Sequence, residues 1–294
     1  MSDVTGLMIV STGTIAATPL SKENLEATLR VVFLGGKQKA AETRKLGDIL
    51  RTANRVVGRT DVPSCYLKDK LCMHCPRCAL FGAMNVKGGS QEMNIKHRIE
   101  YSSAFSLLPY EDLIESITFN AIDDVTSKVG QALGETPSVG PANIFPSIIT
   151  LNTVTWKEFL LTIKTILATK SYGAEGRTKG DAYNVILGIA AGWEEIISPL
   201  ELTLELYDEK VENINAQRIY SILESYKKKC AFVNKVKVLN PQEVANICTA
   251  IQEYDLSREF LDSAYDDVEV YLNKAKTLEP VKPKVATTTK DRKK

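Results

Sequence analysis

The stretch from Cys65 to Gly82 constrains this chain more than any other, because it holds four of the six cysteines. It reads Cys-Tyr-Leu-Lys-Asp-Lys-Leu-Cys-Met-His-Cys-Pro-Arg-Cys-Ala-Leu-Phe-Gly. Two overlapping Cys-x-x-Cys steps turn the backbone tightly enough for several thiolates to face one centre, which is typical of a structural zinc site. We therefore predict a zinc ion bound by Cys65, Cys72, Cys75 and Cys78.

Other interpretations of this cluster stay open at the level of the sequence. His74 or His97 is an alternative to Cys65 as the fourth zinc ligand. An iron–sulfur cluster also takes four cysteines, although the ferredoxin run ends in a cysteine followed by proline, and Cys78 is followed by Ala79. Buried free thiols are the remaining interpretation. A metal site with every position filled by protein ligands stabilises the fold and performs no chemistry.

Composition sets broad limits on the class of protein. With 294 residues, 44% of them hydrophobic, the chain can bury one large core or two smaller ones. No apolar stretch is long enough to span a bilayer, and we find no secretory signal. Clustered cysteines in such a chain favour metal over disulfides, so we expect a cytoplasmic protein. The 37 basic and 36 acidic residues nearly cancel, so any nucleic-acid signal must come from their distribution.

The strongest charge signal lies between Arg30 and Arg59, where eight basic residues face only Glu42 and Asp48. Apolar residues recur there at helical spacing and predict a helix whose buried face holds Leu46, Ile49, Leu50, Ala53, Val56 and Val57. Arginines on another side of that helix suit phosphate oxygens. The candidate RNA-binding residues here are Lys37, Lys39, Arg44, Lys45, Arg51 and Arg55. An ordinary solvated face is the alternative.

A second candidate binding element is the glycine-rich loop 171–180. It follows a predicted helix, Thr155–Lys170, whose Thr155 and Glu158 form a capping box and whose core face holds Trp156, Phe159, Leu160, Ile163, Ile166 and Leu167. We expect Tyr172 to stack on a base, and Arg177 and Lys179 to bind phosphate. The loop is neither a Walker loop nor a dinucleotide fingerprint, because its spacing and element order are wrong for both. A flexible surface loop is the alternative.

Residues 120–147 are poor in hydrophobic residues and rich in glycine and proline, which indicates a hairpin or arm. Lys128 is the only basic residue in this stretch and a further candidate RNA contact. Residues 279–294 read as a disordered basic tail. Alternating or β-branched runs predict strands at Leu7–Ile15, Ala27–Leu34, Ile95–Phe105, Ala182–Ala191 and Leu200–Tyr207.

Taken in order, these segments resemble the Csc-two (Cas-seven-type) RAMP proteins, the backbone subunits of subtype I-D CRISPR surveillance (Cascade) complexes. The resemblance covers about residues 60–208 and rests on the combined order of its motifs. They are the cysteine motif, Ser103–Tyr110, Thr118–Ala121, Phe145–Leu151, the Tyr172-Gly-Ala-Glu run and Leu200–Asp208.

The resemblance implies an α+β fold: a ferredoxin-like (RRM-type) palm with an antiparallel sheet, a zinc-binding insertion and a thumb hairpin. In this sequence we assign the palm to residues 1–59 and 151–278 and the insertion to 60–102. We assign a strand and the thumb to 103–150, and the tail to 279–294. The resemblance also implies that copies assemble head to tail along a CRISPR RNA (crRNA) with other subunits of the complex. Target DNA or RNA would then be recognised through guide pairing, in antiviral defence.

Three functional hypotheses follow from these observations. The leading one is a non-enzymatic crRNA-binding subunit, since a guide of arbitrary sequence must be held by its backbone with its bases free. The second is a Mg²⁺-dependent endoribonuclease that cuts target RNA at regular intervals through Asp123 and Asp124. The third is a zinc-stabilised adaptor that binds only protein. With two histidines and no placed nucleophile, a hydrolase triad is not expected.

Overall fold

A computed structural model of the chain describes residues 7–10, 28–67, 70–84, 94–122, 126, 129–173, 181–207, 209 and 211–278. Some of the residues predicted above to be functional lie outside the described part of the chain, and their roles stay predictions. They are Asp123, Asp124, Lys128, Arg177 and Lys179.

The described residues form an α+β structure of helices and small antiparallel sheets. Its strands are β1 (Leu7–Val10), β2 (Thr28–Phe33), β3 (Ile99–Tyr101), β4 (Ala104–Phe105), β5 (Ile114–Ile122), β6 (Val129–Val139), β7 (Ile149–Leu151), β8 (Ala190–Gly192) and β9 (Val236–Val238). Its α-helices are α1 (Gly35–Val56), α2 (Pro76–Phe81), α3 (Trp156–Ala168), α4 (Pro199–Leu206), α5 (Ala216–Lys227), α6 (Pro241–Glu253) and α7 (Arg258–Leu278). None of these helices is long and apolar enough to cross a membrane.

All strand pairs in the described sheets are antiparallel. Strand β2 lies between β1 and β4, β3 pairs with β7, and β8 pairs with β9. Strands β5 and β6 form a long hairpin from Ile114↔Val139 to Ile122↔Val129, with a register shift between Thr118 and Asn120. The stretch 120–147, predicted as a hairpin or arm, therefore supplies the end of β5 and the whole of β6.

Two main hydrophobic clusters hold the helices together. The first joins α1, α3 and α7 through buried residues that include Leu46, Leu160 and Leu261. The second joins α4 and α5 through residues that include Leu206 and Ile222. The long basic helix α1 is thus built on the first cluster, and the α5–β9 region on the second.

The strand predicted at Leu200–Tyr207 is wrong, because the chain forms helix α4 there. The alternation Leu-Glu-Leu-Thr-Leu-Glu-Leu suggests a strand, yet Ser198 and Glu201 form a complete capping box and Pro199 occupies the first helical turn. These start signals satisfy the first amides of a helix and favour that state over a strand. The helix predicted at Thr155–Lys170 is confirmed as α3, with Thr155 and Glu158 as its capping box.

Some residues predicted to be buried or to form strands differ from expectation. Trp156 is 59% exposed and Val56 is 79% exposed. Each is a terminal residue of its helix, where there is less of the neighbouring structure to cover it. The predicted strand Ile95–Phe105 divides into β3 and β4. Of the predicted strand Ala182–Ala191, only the last two residues are in a strand, and they form β8 together with Gly192.

Candidate functional site

The four cysteines of the motif converge on one point. Their Sγ atoms lie within 4.8 Å of one another, with Cys65 3.5 Å from Cys78 and 3.6 Å from Cys75. A tetrahedral zinc with Zn–S bonds of about 2.3 Å requires sulfur atoms about 3.8 Å apart. The cluster includes Cys65 and neither His74 nor His97, both of which are exposed. The four thiols can therefore hold a metal ion, and the geometry fits zinc.

Local backbone geometry brings these thiols together. Cys75 is the N-cap of α2 and Pro76 is its first residue, so Cys75 and Cys78 lie one turn apart. Met73 adopts a left-handed φ of 64° in the tight turn between Cys72 and Cys75. The site packs against α7, whose Val268 and Leu272 share a buried cluster with three of the cysteines.

Hydrogen bonds couple the four thiols to one another, and a buried arginine lies beside them. Hydrogen bonds from Cys72, Cys75 and Cys78 lower the pKa of Cys65, whereas the hydrogen bond with Cys65 raises the pKa of Cys78. The buried Arg77 places Nη1 3.3 Å from the sulfur of Cys65. A cationic neighbour in the second shell of a thiolate site compensates the charge of the ligands.

The basic side of α1 forms a single row along the helix. Lys37, Arg44, Arg51 and Arg55 project within one narrow sector, because their spacings of seven and four residues are close to whole helical turns. Lys37, Arg44 and Arg55 are exposed, and none of them contacts a carboxylate in the described part of the chain. We call Lys37, Arg44 and Arg55 the α1 cation row.

Arg51 belongs to the same sector but is already engaged. Its guanidinium pairs with Asp48, stacks over the ring of Tyr66 at 4.8 Å and donates to the carbonyl oxygen of Cys65 at 3.1 Å. Arg51 therefore links the basic helix to the cysteine cluster and is less available to an external phosphate than Arg44 or Arg55.

The other lysines predicted on this helix lie off the row. Lys39 is half-buried on the opposite side, where burial lowers its pKa and Glu100 partly offsets that effect. Lys45 is half-buried and turned by about 100° from Arg44. Neither is brought together with the α1 cation row.

The placement of Tyr172 does not fit the predicted stacking on a base, because the side chain is buried. It is 6% exposed, its ring meets Phe33 edge-on at a centroid distance of 5.2 Å, and its hydroxyl donates to Glu42 Oε1 at 2.7 Å. Asn184 donates in turn to the Tyr172 hydroxyl at 2.7 Å. Tyr172 fixes the start of the glycine-rich loop against α1 and offers no ring face to a nucleotide in this conformation.

Arg59 and Arg77 line an open groove of about 520 Å³ beside the cysteine cluster. Sequence reasoning counted Arg59 among the basic residues of the predicted phosphate-binding helix and missed Arg77. Arg59 stacks on Tyr265 at 4.4 Å and pairs with Asp262 of α7. The position of Arg77 between Cys75 and Cys78 was the signal that could have identified it.

Comparisons with known proteins place the chain in a family. The family model described as Csc2 Crispr matches residues 13–282. The crystal structure of Thermofilum pendens Csc2 has a similar fold, with a TM-score of 0.58 and 20% identity over 87% of this chain and 81% of that chain. A comparison with curated proteins finds no match.

Weaker structural similarities extend to chains of larger assemblies. A chain of a CRISPR RNA-guided surveillance complex gives a TM-score of 0.47 and 14% identity, over 82% of this chain and 87% of that one. A chain of a type IV-B CRISPR complex gives 0.36 and 14%, over 60% and 76%. The family match spans most of the sequence, and the chain belongs to the Csc2 Crispr family.

Proposed function

We propose that this protein is a crRNA-binding backbone subunit of a type I-D CRISPR surveillance complex, and that it polymerises head to tail along the guide RNA. The observation that carries the proposal is the α1 cation row, in a chain whose family is a CRISPR family. The subunit holds RNA and supplies no catalytic group of its own in this proposal.

The spacing of the α1 cation row suits the backbone of an extended RNA strand. At 1.5 Å per residue, Lys37 and Arg44 are about 10 Å apart along the axis, and Arg44 and Arg55 about 16 Å. Such spacing lets successive cations contact phosphates that are not adjacent along one strand. Phosphate contacts carry no sequence information, so the guide bases stay free to pair with a target.

The fold supports the remaining parts of the proposal. The β5–β6 hairpin is the candidate thumb, and residues 60–102 with the cysteine cluster are the candidate zinc-binding insertion in a ferredoxin-like palm. Exposed acidic residues lie along α6 and α7 and in the turn between them, with Glu253, Asp255, Glu259, Asp266 and Glu269. Separate basic and acidic faces on one chain suit a head-to-tail contact between copies.

The test is co-expression of the chain with its partner subunits and a CRISPR array, followed by extraction of bound nucleic acid. We expect an RNA of one guide length with several copies of the chain on it. Arg44→Glu with Arg55→Glu should remove the RNA while the monomer stays folded, because both side chains are exposed and bond to no described carboxylate.

Lys70→Glu with Lys96→Glu is the matched control, since both lysines are exposed and lie outside α1, and neither pairs with a described carboxylate. It makes the same charge change outside the α1 cation row and should retain the guide. Equal loss of RNA in the control and the double variant, or full retention in the double variant, would contradict the proposed surface.

A further inference from the structure

We propose a second nucleic-acid site, in which single-stranded nucleic acid binds a patch formed by Trp193, Phe232, Lys228, Lys229 and Lys235. We call these residues the lysine–aromatic patch. It lies on the α5–β9 side of the molecule, which is built on the second hydrophobic cluster, whereas α1 is built on the first. The patch shares no residue with the α1 cation row.

Two large aromatic rings at the patch face solvent side by side. Trp193 is 71% exposed and Phe232 is 51% exposed, and their ring centroids are 5.9 Å apart with planes inclined at 54°. Large apolar side chains that are exposed side by side are typical of an interaction site. Each ring presents a face on which a base can stack.

The scaffold under these rings is ordered by backbone pairing. Strand β8 pairs with β9, and its last residue, Gly192, faces Val236, so Trp193 lies beside the turn that precedes β9. The Glu194 carboxylate accepts hydrogen bonds from the backbone N–H groups of Ala231 and Phe232 and fixes that turn. A ring pair held by secondary structure loses little freedom when it binds a ligand.

The charge around the rings is positive. Residues 227–237 hold five lysines and no Asp or Glu. Lys227 pairs with Glu224 at 3.4 Å and Lys237 with Glu243 at 3.3 Å. Lys228, Lys229 and Lys235 are exposed, and none of them pairs with a carboxylate among the described residues.

Lys235 Nζ lies 5.3 Å from the centre of the Trp193 ring. Lys228 and Lys229 come just before Ala231 and Phe232, the residues whose N–H groups bond Glu194 next to Trp193. The acidic groups next to Trp193 in the sequence are Glu194, which is occupied by the two backbone amides, and the exposed Glu195. Cations beside exposed rings complement a polyanion that carries flat bases, which is the chemistry of single-stranded nucleic acid. A protein partner would have to bury these lysine charges.

The two tryptophans of the chain make the test selective. Trp156→Phe leaves Trp193 as the sole tryptophan, and Trp193→Phe leaves Trp156, which is 59% exposed and 5.6 Å from Phe159. Trp156 is a matched reference, because its neighbour Lys157 is paired with Asp267 at 2.9 Å. Fluorescence of the guide-free, full-length protein is titrated with an oligothymidylate and an oligouridylate of about 16 nucleotides, the upper site size of one OB fold.

We expect both oligonucleotides to quench Trp193 and to leave Trp156 unchanged, with quenching that weakens as salt rises. Preference for one of the two then identifies the strand as DNA or RNA. Trp193→Ala should weaken binding about tenfold, measured with labelled oligonucleotide on Arg44→Glu, Arg55→Glu protein so that the α1 cation row does not contribute. Lys228→Glu with Lys229→Glu should also weaken it, because the charge beside the rings is reversed.

Other outcomes would overturn the proposal. One is binding of oligonucleotide with no quenching of Trp193, and another is equal quenching of Trp156. If Trp193 becomes protected from acrylamide only when partner subunits are added without nucleic acid, the patch is a protein-docking surface instead. If Trp193 is not quenched, the test of guide retention in the complex is unaffected. If the Arg44→Glu, Arg55→Glu variant loses the guide, the quenching of Trp193 is still expected. The two proposals can therefore fail separately.

Discussion

Glu42 of α1 accepts hydrogen bonds from the hydroxyl groups of both Tyr172, 2.7 Å away, and Tyr101. The carboxylate is buried, and it joins the basic helix to strand β3 and to the start of the glycine-rich loop. Asn184, from the other side of that loop, completes the network through the Tyr172 hydroxyl. One buried acid therefore sets the position of two candidate RNA-binding elements relative to each other.

The burial of Glu42 predicts a pH dependence of stability. Burial raises the pKa of Glu42 above its ordinary value of 4.5, and the hydrogen bonds from Tyr101 and Tyr172 only partly oppose this. A group whose pKa is raised in the folded state binds more protons there than in the unfolded state. Its contribution to the free energy of unfolding is therefore complete below pH 4.5 and is lost as pH rises through the folded-state pKa. Glu42→Gln should lack this pH-dependent contribution to stability.

Denaturant unfolding of the wild type and of Glu42→Gln, at a series of pH values from below 4.5 upward, measures the difference in their free energies of unfolding. We expect the stability of the variant, relative to the wild type, to increase as pH rises above 4.5. Glu115→Gln, at an exposed position, is the control and should run parallel to the wild type. A wild-type curve that gains stability relative to Glu42→Gln over the same interval would contradict the argument.

Tyr172→Phe tests whether this residue is structural. The substitution keeps the ring against Phe33 and removes the hydroxyl that bonds Glu42 and Asn184. A buried hydrogen bond lost in this way costs roughly 1–3 kcal/mol of unfolding free energy. Chemical denaturation should show that loss, while Tyr183→Phe, at a residue that is 82% exposed, should change stability little.

The sequence predicted best where local signals and tertiary packing agree. The cysteine motif carries its own turn residues, so Cys65, Cys72, Cys75 and Cys78 were found from spacing alone. The capping box of α3 likewise needs no long-range partner.

It predicted poorly where distant residues decide. The glycine-rich loop predicts an exposed ring for Tyr172. In the structure the ring is buried, and its hydroxyl bonds Glu42, which is 130 positions away in the sequence. The lysine–aromatic patch escaped notice because Trp193 and Phe232 are distant in sequence and meet only through the β8–β9 pairing. At α4 the alternating pattern and the capping box conflict, and the cap together with burial of Leu202 and Leu206 decides for a helix.

The cysteine cluster predicts a metal content of one ion per chain. Protein purified under reducing conditions should contain zinc in a 1:1 ratio by elemental analysis, because four thiol donors at these distances match a closed tetrahedral shell. Cys75→Ser should abolish binding and lower the melting temperature, since metal binding and folding are coupled at such sites. Cys248→Ser, outside the cluster, should retain the metal. Iron with visible absorbance, or no metal, would contradict the assignment of zinc.

Arg98 and Glu158 form a buried ion pair next to the cysteine cluster. Arg98 bonds the Glu158 carboxylate through both terminal nitrogens, donates from Nε to the carbonyl oxygen of Ala79 at 3.1 Å, and lies 4.1 Å from the centre of the Tyr271 ring. It thus ties α2, the helix that contains Cys78, to α3 and α7. Removing one partner leaves an uncompensated buried charge, which costs about 3–5 kcal/mol.

Arg98→Met should therefore lower the free energy of unfolding by about that amount. Arg98→Met with Glu158→Gln should be more stable than Arg98→Met alone, because it leaves no unpaired charge in the interior. Glu158 also caps α3 through the Thr155 N–H at 2.9 Å, so part of the loss stays in the double variant. Urea unfolding of the two single variants and the double variant measures the coupling. Strict additivity of the single effects would show that the two side chains act independently.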